Sequence, residues 1–318
     1  MARVLVTGGL GFIGSNLVPR LERVGYDVRV FDNAARCHRL VAQGAWDQVV
    51  IGDVTDRDAL VPAMEHVDVV VHLAAWGSVV ESVKAPADNF HPNVEGTFNV
   101  LDAAREQGVA RVIFASTGGA LIGEAEPPVN EQSLPKPISP YGASKLCGEA
   151  YCHAFRKAYD LETVALRFGN VYGPCSAHKK GAVTAFIKAV AHDRPMVIYG
   201  DGLASRDFLY ADDLCQGIEK AIPADVANGS VFHLASGQET RIKDLAEAVA
   251  VAGGKPGHAI EYRAARPAEV SRNFARYDLA REYLGFEPAW SLAEGLEATW
   301  GWFRAQGDAA FQTEESDA

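Results

Sequence analysis

Short apolar runs alternate with segments of helical spacing over the first 115 residues of the chain. The runs are rich in β-branched residues and show no clear period of two, as is typical of strands buried on both faces of a parallel sheet. They lie at residues 3–7, 28–32, 49–52, 67–73 and 111–116. Between them, residues 12–21 and 93–107 carry apolar side chains three and four positions apart, which predicts amphipathic helices. Alternating strands and helices predict an α/β fold built on a doubly wound parallel sheet with right-handed crossovers.

The pattern loosens in the second half of the chain. A proline-rich loop is expected at residues 126–140, where Ser139 and Pro140 are typical of the N-cap and first turn of a helix running to about residue 160. Further elements are predicted as a strand at 163–168, a polar loop at 174–180, a helix at 182–191 and a strand at 231–234.

These changes divide the chain into two expected domains and a tail. Residues 1–169 are expected to form a Rossmann-type, cofactor-binding domain. Residues 170–306 are expected to form mainly a smaller C-terminal substrate-binding α/β domain, while segments near 207–234 return to the first domain. The acidic tail, residues 307–318, is expected to be disordered.

Composition and charge exclude several classes of protein. The chain has 318 residues, of which 48% are apolar and 22% charged, and its net charge is −11. This composition is that of a globular protein rather than a fibre or a disordered chain. The acidic balance gives no overall field that would attract nucleic acid or an anionic membrane, and no apolar run is long enough to span a bilayer. We therefore expect no nucleic-acid or membrane partner.

The cysteines indicate neither a disulfide framework nor a metal site. Their number is odd, and no pair has the CxxC spacing of a zinc or redox site. They are Cys37, Cys147, Cys152, Cys175 and Cys215. We therefore expect reduced thiols and no bound metal. A structural motif begins within a few residues of Met1 and leaves no room for a signal peptide, so we expect a cytoplasmic protein.

A glycine-rich turn directly follows the first predicted strand and opens the first helix. Gly8, Gly11 and Gly14 allow a tight turn, close approach of the backbone to a pyrophosphate, and packing of the helix on the strand. The amides of the first helical turn, at Phe12 and Ile13, would face the phosphates. Asp32 ends the second strand, 18 residues beyond Gly14. A carboxylate there can accept hydrogen bonds from both ribose hydroxyls and repels a 2′-phosphate, which predicts NAD rather than NADP.

Residues at the ends of the neighbouring strands complete the expected cofactor site. Ligands lie along the carboxyl ends of strands in an open α/β sheet. Asp53 is either a ligand of the adenine edge or a residue of a strand-ending turn. The small side chains after the fourth strand would let the cofactor lie against the backbone. The further candidates for cofactor contact are Asn33, Val54, Leu73, Ala74 and Ala75.

Tyr141 and Lys145 are spaced i and i+4 and so lie on one face of a predicted helix. A phenol is a poor base at neutral pH, but an adjacent ammonium, the helix dipole and a cationic nicotinamide ring all favour the phenolate. Such a tyrosine can take a proton from a substrate hydroxyl while hydride leaves the same carbon for NAD. Ser116 and Thr117 end a strand at the same edge of the sheet, where a hydroxyl can hold the reacting oxygen and relay its proton.

Together these motifs resemble those of the extended short-chain dehydrogenases/reductases that act on nucleotide sugars. The resemblance covers nearly the whole chain. It rests on segments 7–14, 53–54, 72–75, 93–97, 116–117, 141–145, 167–174, 199–202, 205–208 and 266–269.

The resemblance implies a nucleotide-sugar substrate, most often a UDP-linked one, and assigns residues to it. Asn170, Arg206 and Arg266 would bind the diphosphate, and Val197 and Tyr199 would line the base pocket. It also assigns Lys84 and Asn93 to the cofactor, although the sequence around Lys84 differs from the family pattern by one residue. Finally, it implies a homodimer that pairs the helices at 93–107 and 140–160.

Gly118 and Gly119 follow Thr117, where family members that resemble dehydratases carry an acidic pair. Glycine offers no side-chain acid or base, so oxidation at one carbon and return of the hydride remain. We therefore predict an NAD-dependent 4-epimerase of a UDP-hexose or UDP-hexuronic acid, which forms a transient 4-keto sugar. The alternatives are a dehydratase or reductase of the same family, and a non-catalytic NAD or nucleotide-sugar sensor.

The two glycines are also expected to leave space near the C5–C6 end of the sugar, which places Gly118 at the substrate. A neutral pocket there suits a hydroxymethyl group, so UDP-glucose is placed slightly ahead of UDP-glucuronic acid. A carboxylate would need donors, which the loop at 176–180, including Lys179, could provide. The alternative interpretation of that loop is a solvated basic turn.

Overall fold

The structure is a computed structural model that describes residues 1–35, 48–225, 229–266 and 270–312. Its strands are β1 (Arg3–Thr7), β2 (Asp27–Asp32), β3 (Val49–Ile51), β4 (Val69–His72), β5 (Arg111–Thr117), β6 (Glu162–Phe168), β7 (Asn170–Tyr172), β8 (Met196–Tyr199), β9 (Ser205–Arg206), β10 (Phe208–Tyr210), β11 (Val231–Leu234), β12 (Thr240–Arg241) and β13 (Ile260–Arg263).

Helices separate most of these strands. They are α1 (Phe12–Arg23), α2 (Arg57–Ala63), α3 (Val79–Lys84), α4 (Pro86–Phe90), α5 (Gly96–Glu106), α6 (Gly119–Ile122), α7 (Pro140–Tyr159), α8 (Ala182–Ala191), α9 (Ala211–Ala221), α10 (Ile242–Ala252), α11 (Asp278–Leu284), α12 (Leu292–Ala305) and α13 (Asp308–Phe311). A π-helical turn, His91–Glu95, leads into α5, so the α-helix predicted at 93–107 begins later than expected.

A seven-stranded parallel sheet with the order β11-β6-β5-β4-β1-β2-β3 forms the centre of the molecule. This arrangement confirms the predicted doubly wound α/β fold. The strand order reverses direction between β1 and β4, and ligands of such sheets bind at the carboxyl edge beside that switch point. Strand β11 lies in the segment expected to return to the first domain, and it pairs with β6.

Two apolar layers cover the faces of this sheet. Val4 and Val6 of β1 pack with α1, α9 and α11 on one face. Leu5, between them, packs with α2, α5 and α7 on the other face. Alternate side chains of one strand point to opposite faces, so a strand buried on both sides must be apolar throughout. This is why the sequence shows continuous apolar runs without a period of two.

The C-terminal elements build a third apolar cluster beside the sheet. Helices α8, α10 and α12 pack around Ile187, Ile198 and Val249. Three short strand pairs flank this cluster, namely β7 with β10, β8 with β13, and β9 with β12.

Part of the tail that was expected to be disordered is ordered. Ala310 of α13 is buried, and the ring of Phe311 lies 5.6 Å from the ring of Phe303. Lys188 of α8 donates a hydrogen bond to the carbonyl of Gln312. Composition alone suggested disorder, but these apolar residues find a surface on α8 and α12, so the expectation is wrong for residues 308–312. Residues 313–318 lie outside the described residues, as does Cys37.

Candidate active site

The glycine-rich turn packs against the end of β4 at the switch point. Gly8 has φ of +73°, and a β-carbon there would lie 2.7 Å from the amide nitrogen of Ala74. A β-carbon at Gly14 would lie 2.4 Å from the carbonyl oxygen of Gly9. A side chain at either position would therefore force the turn away from β4 or from α1.

The first turn of α1 presents backbone amides at this edge. Its N-cap residue, Gly11, has extended backbone and offers no side-chain cap to the amides that follow, beginning at Phe12 and Ile13. Uncapped amides at a helix N-terminus are hydrogen-bond donors that an anion can satisfy. The close turn and these free donors fit the pyrophosphate of NAD.

Acidic and amide side chains at the ends of β2 and β3 lie together, as predicted from their strand ends. Asp32 accepts hydrogen bonds from the amides of Leu10 (3.0 Å) and Ala34 (2.8 Å), and burial raises its pKa. Asn33 donates to Asp53 at 2.8 Å. These contacts fix the carboxylate of Asp32 beside the glycine turn, where a ribose would lie.

Asp53 organises the loop after β3. Its carboxylate accepts from the amide of Thr55 at 2.9 Å and from the side chain of Asn33. Burial alone would raise its pKa, but these hydrogen bonds lower it. The following residue, Val54, is buried against Gly96. The observed contacts support the strand-ending turn, and contact with adenine stays a prediction.

A buried histidine links β1, β4 and α5. Thr97 donates its hydroxyl proton to the carbonyl of Asn93, so Nε2–H of His72 must donate to Thr97, and Nδ1 accepts from Thr7 at 2.7 Å. Burial lowers the pKa of His72 to about 3, with Lys145 acting in the same direction, and the ring is neutral. This link positions the strand end that leads into Leu73, Ala74 and Ala75.

Asn93 holds the loop after β4 against α7. Its side-chain oxygen accepts from the amide of Trp76 at 2.7 Å, and its amide group donates to the hydroxyl of Ser144 at 3.0 Å. The residue is completely buried. Its side-chain amide has protein partners at both ends and positions the chain around the site, and contact between Asn93 and the cofactor stays a prediction.

The catalytic candidates Thr117 and Tyr141 lie in contact. Ser139 caps α7 by accepting from the amide of Gly142, which sets the first turn of that helix. The Tyr141 phenol and the Thr117 side chain share a hydrogen bond. One turn further along α7, the ammonium of Lys145 donates to the carbonyl of Ala115 at 2.8 Å. The arrangement joins the end of β5 to the predicted Tyr–Lys face of the helix.

Burial is the main influence on the pKa values of Tyr141 and Lys145. It raises the pKa of Tyr141 to about 12, although the Thr117 hydrogen bond acts in the opposite direction. It lowers the pKa of Lys145 to about 8. The expected lowering of the tyrosine pKa by lysine is not present in the protein alone. A positive charge that favours the phenolate must come from a bound cationic group, such as an oxidised nicotinamide.

Ser116 is not in contact with the reacting groups. Its hydroxyl donates to Glu149 at 2.6 Å, and the residue is 3% exposed. Arg167 binds the same carboxylate with two hydrogen bonds of 2.8 and 2.9 Å. The hydroxyl of Ser116 is thus bonded to a buried ion pair behind Thr117, and a catalytic role of Ser116 stays a prediction. Sequence reasoning missed Glu149, which lies one helical turn beyond Lys145.

The space expected beside Gly118 and Gly119 is filled by two polar side chains. A β-carbon at Gly118 would lie 3.1 Å from Nδ1 of His233, and one at Gly119 would lie 3.1 Å from Oδ1 of Asn273. Both side chains come from segments more than 100 residues away along the chain. The expectation of open space is wrong, and neither residue was selected from the sequence.

Candidates for the nucleotide lie beyond the sheet. The guanidinium carbon of Arg266 lies 3.6 Å from the centre of the Tyr199 ring, and a hydrogen bond from Arg266 lowers the pKa of Tyr199. Val197 lies two residues earlier on β8. Arg206 lies on β9 and Asn170 at the exposed start of β7. Residues 267–269, part of the Arg266 motif, lie outside the described residues.

The loop at 174–180 contacts the segment that follows β4. Nζ of Lys179 lies 4.0 Å from the position that a β-carbon at Gly77 would take. Lys180 lies 3.4 Å from a carboxylate oxygen of Glu81. The loop therefore reaches across from the C-terminal elements and is more than a solvated turn. Lys84, by contrast, is exposed at the end of α3, and its role stays a prediction.

Two kinds of feature were not found. No helix in the described part of the chain is both long and apolar enough to cross a membrane. No group of three or more His, Cys, Asp or Glu side chains among residues 1–35, 48–225, 229–266 and 270–312 could hold a metal ion.

Comparison with known proteins identifies the family. The model of the NAD dependent epimerase/dehydratase family matches residues 4–235. The chain is 36% identical to the UDP-glucose 4-epimerase of Mycolicibacterium smegmatis over 95% of this chain and 98% of that protein. The structure of Thermotoga maritima UDP-glucose 4-epimerase with UDP-glucose superposes with a TM-score of 0.91 at 33% identity, covering 96% of this chain and 99% of that chain. Bacillus cereus UDP-glucuronic acid 4-epimerase, in complex with UDP-glucuronic acid and NAD, gives 0.87 at 30% identity, with coverage of 96% and 99%. The glycine turn, Asp32 and the Thr117–Tyr141 contact thus occur in a chain that belongs to the NAD-dependent epimerase/dehydratase family.

Proposed function

We propose that the protein is an NAD-dependent 4-epimerase of a UDP-hexose. The observation that carries this proposal is the contact between Thr117 and Tyr141, at the carboxyl edge of the sheet that also bears the glycine turn. A relay of this kind suits proton transfer at a secondary alcohol. A non-catalytic sensor of the same ligands would have no need of Thr117, Tyr141 and Lys145 together.

The proposed reaction uses the side chains in two opposite steps. Tyr141 takes the proton of the sugar 4-hydroxyl, and Thr117 holds the same oxygen. NAD, which the glycine turn and Asp32 would hold, would accept the hydride of the C4–H bond and give it back when bound. Tyr141 would return the proton to the oxygen of the 4-keto sugar after that sugar has turned over, so that the product has the mass of the substrate. Gly118 and Gly119 directly follow Thr117, so these two positions offer no carboxylate that could assist loss of water.

Incubation of the purified protein with UDP-glucose or UDP-galactose, followed by NMR of the products, tests this function. We expect incubations that start from either sugar to reach the same mixture of UDP-glucose and UDP-galactose without added reductant. Formation of a 4-keto-6-deoxy sugar, with the loss of one water, would assign a dehydratase instead. A stable product that accumulates only when NADH is supplied would assign a reductase. Tight binding without any conversion would assign a sensor.

We further propose a homodimer formed by α5 and α7. The aromatic side chains of Phe98 and Tyr151 lie on these helices with ring centres 5.6 Å apart, and both are exposed. Phe90 at the end of α4 extends the same apolar face and lines a groove with Pro140 and Ala143 of α7. A cluster of exposed aromatic side chains on adjacent helices is typical of a protein interface.

We also propose that the protein acts in the cytoplasm. Cys147, Cys152, Cys175 and Cys215 are all free thiols. Free cysteines are typical of proteins in a reducing compartment.

A further inference from the structure

His233 and Asn273 lie next to the reacting groups although their backbone segments are remote in sequence. Gly118 and Gly119 follow Thr117 directly, and consecutive α-carbons are about 3.8 Å apart. A sugar whose oxygen is held between Thr117 and Tyr141 therefore lies within a few ångströms of these two glycines. The positions that β-carbons would occupy there lie 3.1 Å from a ring nitrogen of His233 and 3.1 Å from the amide oxygen of Asn273.

Both side chains retain unused hydrogen-bonding capacity. Within the described ranges of the chain, the side-chain nitrogen of Asn273 has no hydrogen-bond partner, and the ring of His233 has the backbone of Asn130 as its one neighbouring partner, which leaves one ring nitrogen unpaired. His233 is 1% exposed and Asn273 is 5% exposed. A buried polar group without a partner lowers stability by about 1–3 kcal/mol, so the presence of two such atoms beside one pair of glycines needs a reason. A ligand that supplies the missing partners is such a reason.

The charged groups beside His233 are Arg167 and Glu131, whose carboxylate accepts from the backbone amide of His233 at 2.8 Å. The adjacent cation, Arg167, is bonded twice to the carboxylate of Glu149. Burial lowers the pKa of His233 to about 3, and Arg167 acts in the same direction. A neutral imidazole has one donor and one acceptor nitrogen, and the Asn273 amide adds a donor. A hydroxyl can satisfy both a donor and an acceptor, whereas a carboxylate has no proton to give to the acceptor nitrogen.

We propose that His233 and Asn273 form the specificity-determining wall for the substituent next to the reacting carbon of the sugar, and that this wall selects a hydroxymethyl group over a carboxylate. The inference rests on the proposed function. The sequence predicted only open space beside Gly118 and Gly119. The proposal instead gives two residues outside the predicted site a role in recognising the sugar.

Titration calorimetry of the holoprotein with UDP, UDP-glucose and UDP-glucuronic acid tests the assignment. In the wild type, we expect UDP-glucose to bind about tenfold more tightly than UDP-glucuronic acid, which corresponds to about 1.4 kcal/mol. Asn273→Asp keeps the shape of the side chain and adds a negative charge. It should weaken UDP-glucuronic acid at least a further tenfold, while UDP changes by less than twofold.

His233→Phe removes both ring nitrogens and retains a ring of similar size, so it tests the second half of the wall. It should weaken UDP-glucose several-fold and leave UDP unchanged. Gln312→Glu is the matched control, because it makes the same change from an amide to a carboxylate at an exposed residue of the C-terminal segment. This control should leave all three affinities unchanged.

The proposal is overturned if Asn273→Asp and His233→Phe both leave the ratio of the UDP-glucose and UDP-glucuronic acid affinities unchanged. It is also overturned if the variants weaken the binding of UDP as much as that of the UDP-sugars. Should one variant fail to fold, the other decides, since each tests the same wall. A wild type that prefers UDP-glucuronic acid also overturns it. Failure of the proposed function is a different result, namely a wild type that binds neither UDP-sugar more tightly than UDP and converts neither.

Discussion

Tyr141 is the residue whose chemistry is most dependent on a bound partner. Its phenol is buried and bonded to Thr117, and its pKa is raised to about 12 in the protein alone. Tyr141→Phe keeps the ring and removes the proton-transfer group, so we expect turnover to fall by roughly 100-fold or more. Steady-state rates of epimerisation measure this effect, and cofactor content serves as the control. Near-normal turnover with bound NAD would remove Tyr141 from its proposed role.

Asp32 is the residue expected to select the cofactor. Its carboxylate is held by two backbone amides, so its position does not depend on a ligand. Asp32→Ala removes the acceptor for the ribose hydroxyls and the repulsion of a 2′-phosphate. We expect NAD to bind more weakly, while the ratio of NAD to NADP affinity falls toward one. Fluorescence titration with both cofactors measures the ratio, and a wild type that prefers NADP would contradict the assignment.

At the scale of elements, α1 and the glycine turn depend on a contact that only glycine permits. Gly14→Ala places a β-carbon 2.4 Å from the backbone oxygen of Gly9. We expect a loss of about 1–3 kcal/mol in the free energy of unfolding and a further loss of NAD binding, because the first turn of α1 must move. Urea unfolding and NAD titration measure the two effects.

The matched control is Gly301→Ala in α12, where a β-carbon has open space. Alanine is the better helix former by about 1 kcal/mol, so this variant should be neutral or more stable. If both glycine variants behave alike, the close approach of α1 to the turn is not required.

At the scale of the whole molecule, two buried histidines make stability depend on pH. Burial lowers the folded-state pKa values of both His72 and His233 to about 3, whereas an exposed histidine titrates near 6.5. Between these values the unfolded chain binds more protons than the folded chain, so stability falls as the pH decreases through this window. We expect the urea midpoint of His72→Asn to depend less on pH between about 6.5 and 4 than that of the wild type. The exposed His153→Asn should match the wild type, and equal slopes in all three proteins would contradict this explanation.

The proposed dimer is also a property of the whole molecule. Phe98 is 40% exposed and lies on the aromatic face of α5 and α7. Phe98→Glu should convert a dimer into a monomer, because burying an unpaired charge at an interface is costly. Sedimentation velocity at micromolar concentration measures the change. Val251→Glu, which alters an exposed residue of α10, is expected to leave the dimer intact, and a wild type that sediments as a monomer would refute the proposal.

The local pattern of the sequence determined the parts of the protein that depend on neighbours in the chain. Continuous apolar runs give strands buried on both faces, and Ser139 and Pro140 begin α7, because a strand or a helix start is specified by a few adjacent residues. The glycine turn and Asp32 were predicted for the same reason, since both lie at fixed distances from strand ends. The Tyr–Lys pair needed only helical spacing.

Tertiary structure alone decided which of these side chains meet. Adjacent residues 116 and 117 have different partners, because the end of β5 sends one hydroxyl to Glu149 and brings the other to Tyr141. Asn93 became a positioning residue, and residues 308–312 became ordered, through contacts with remote segments. His233 and Asn273 reach Gly118 and Gly119 from more than 100 residues away. A local pattern cannot specify such approaches, because strand order and the packing of the C-terminal elements fix them only when the whole chain is folded.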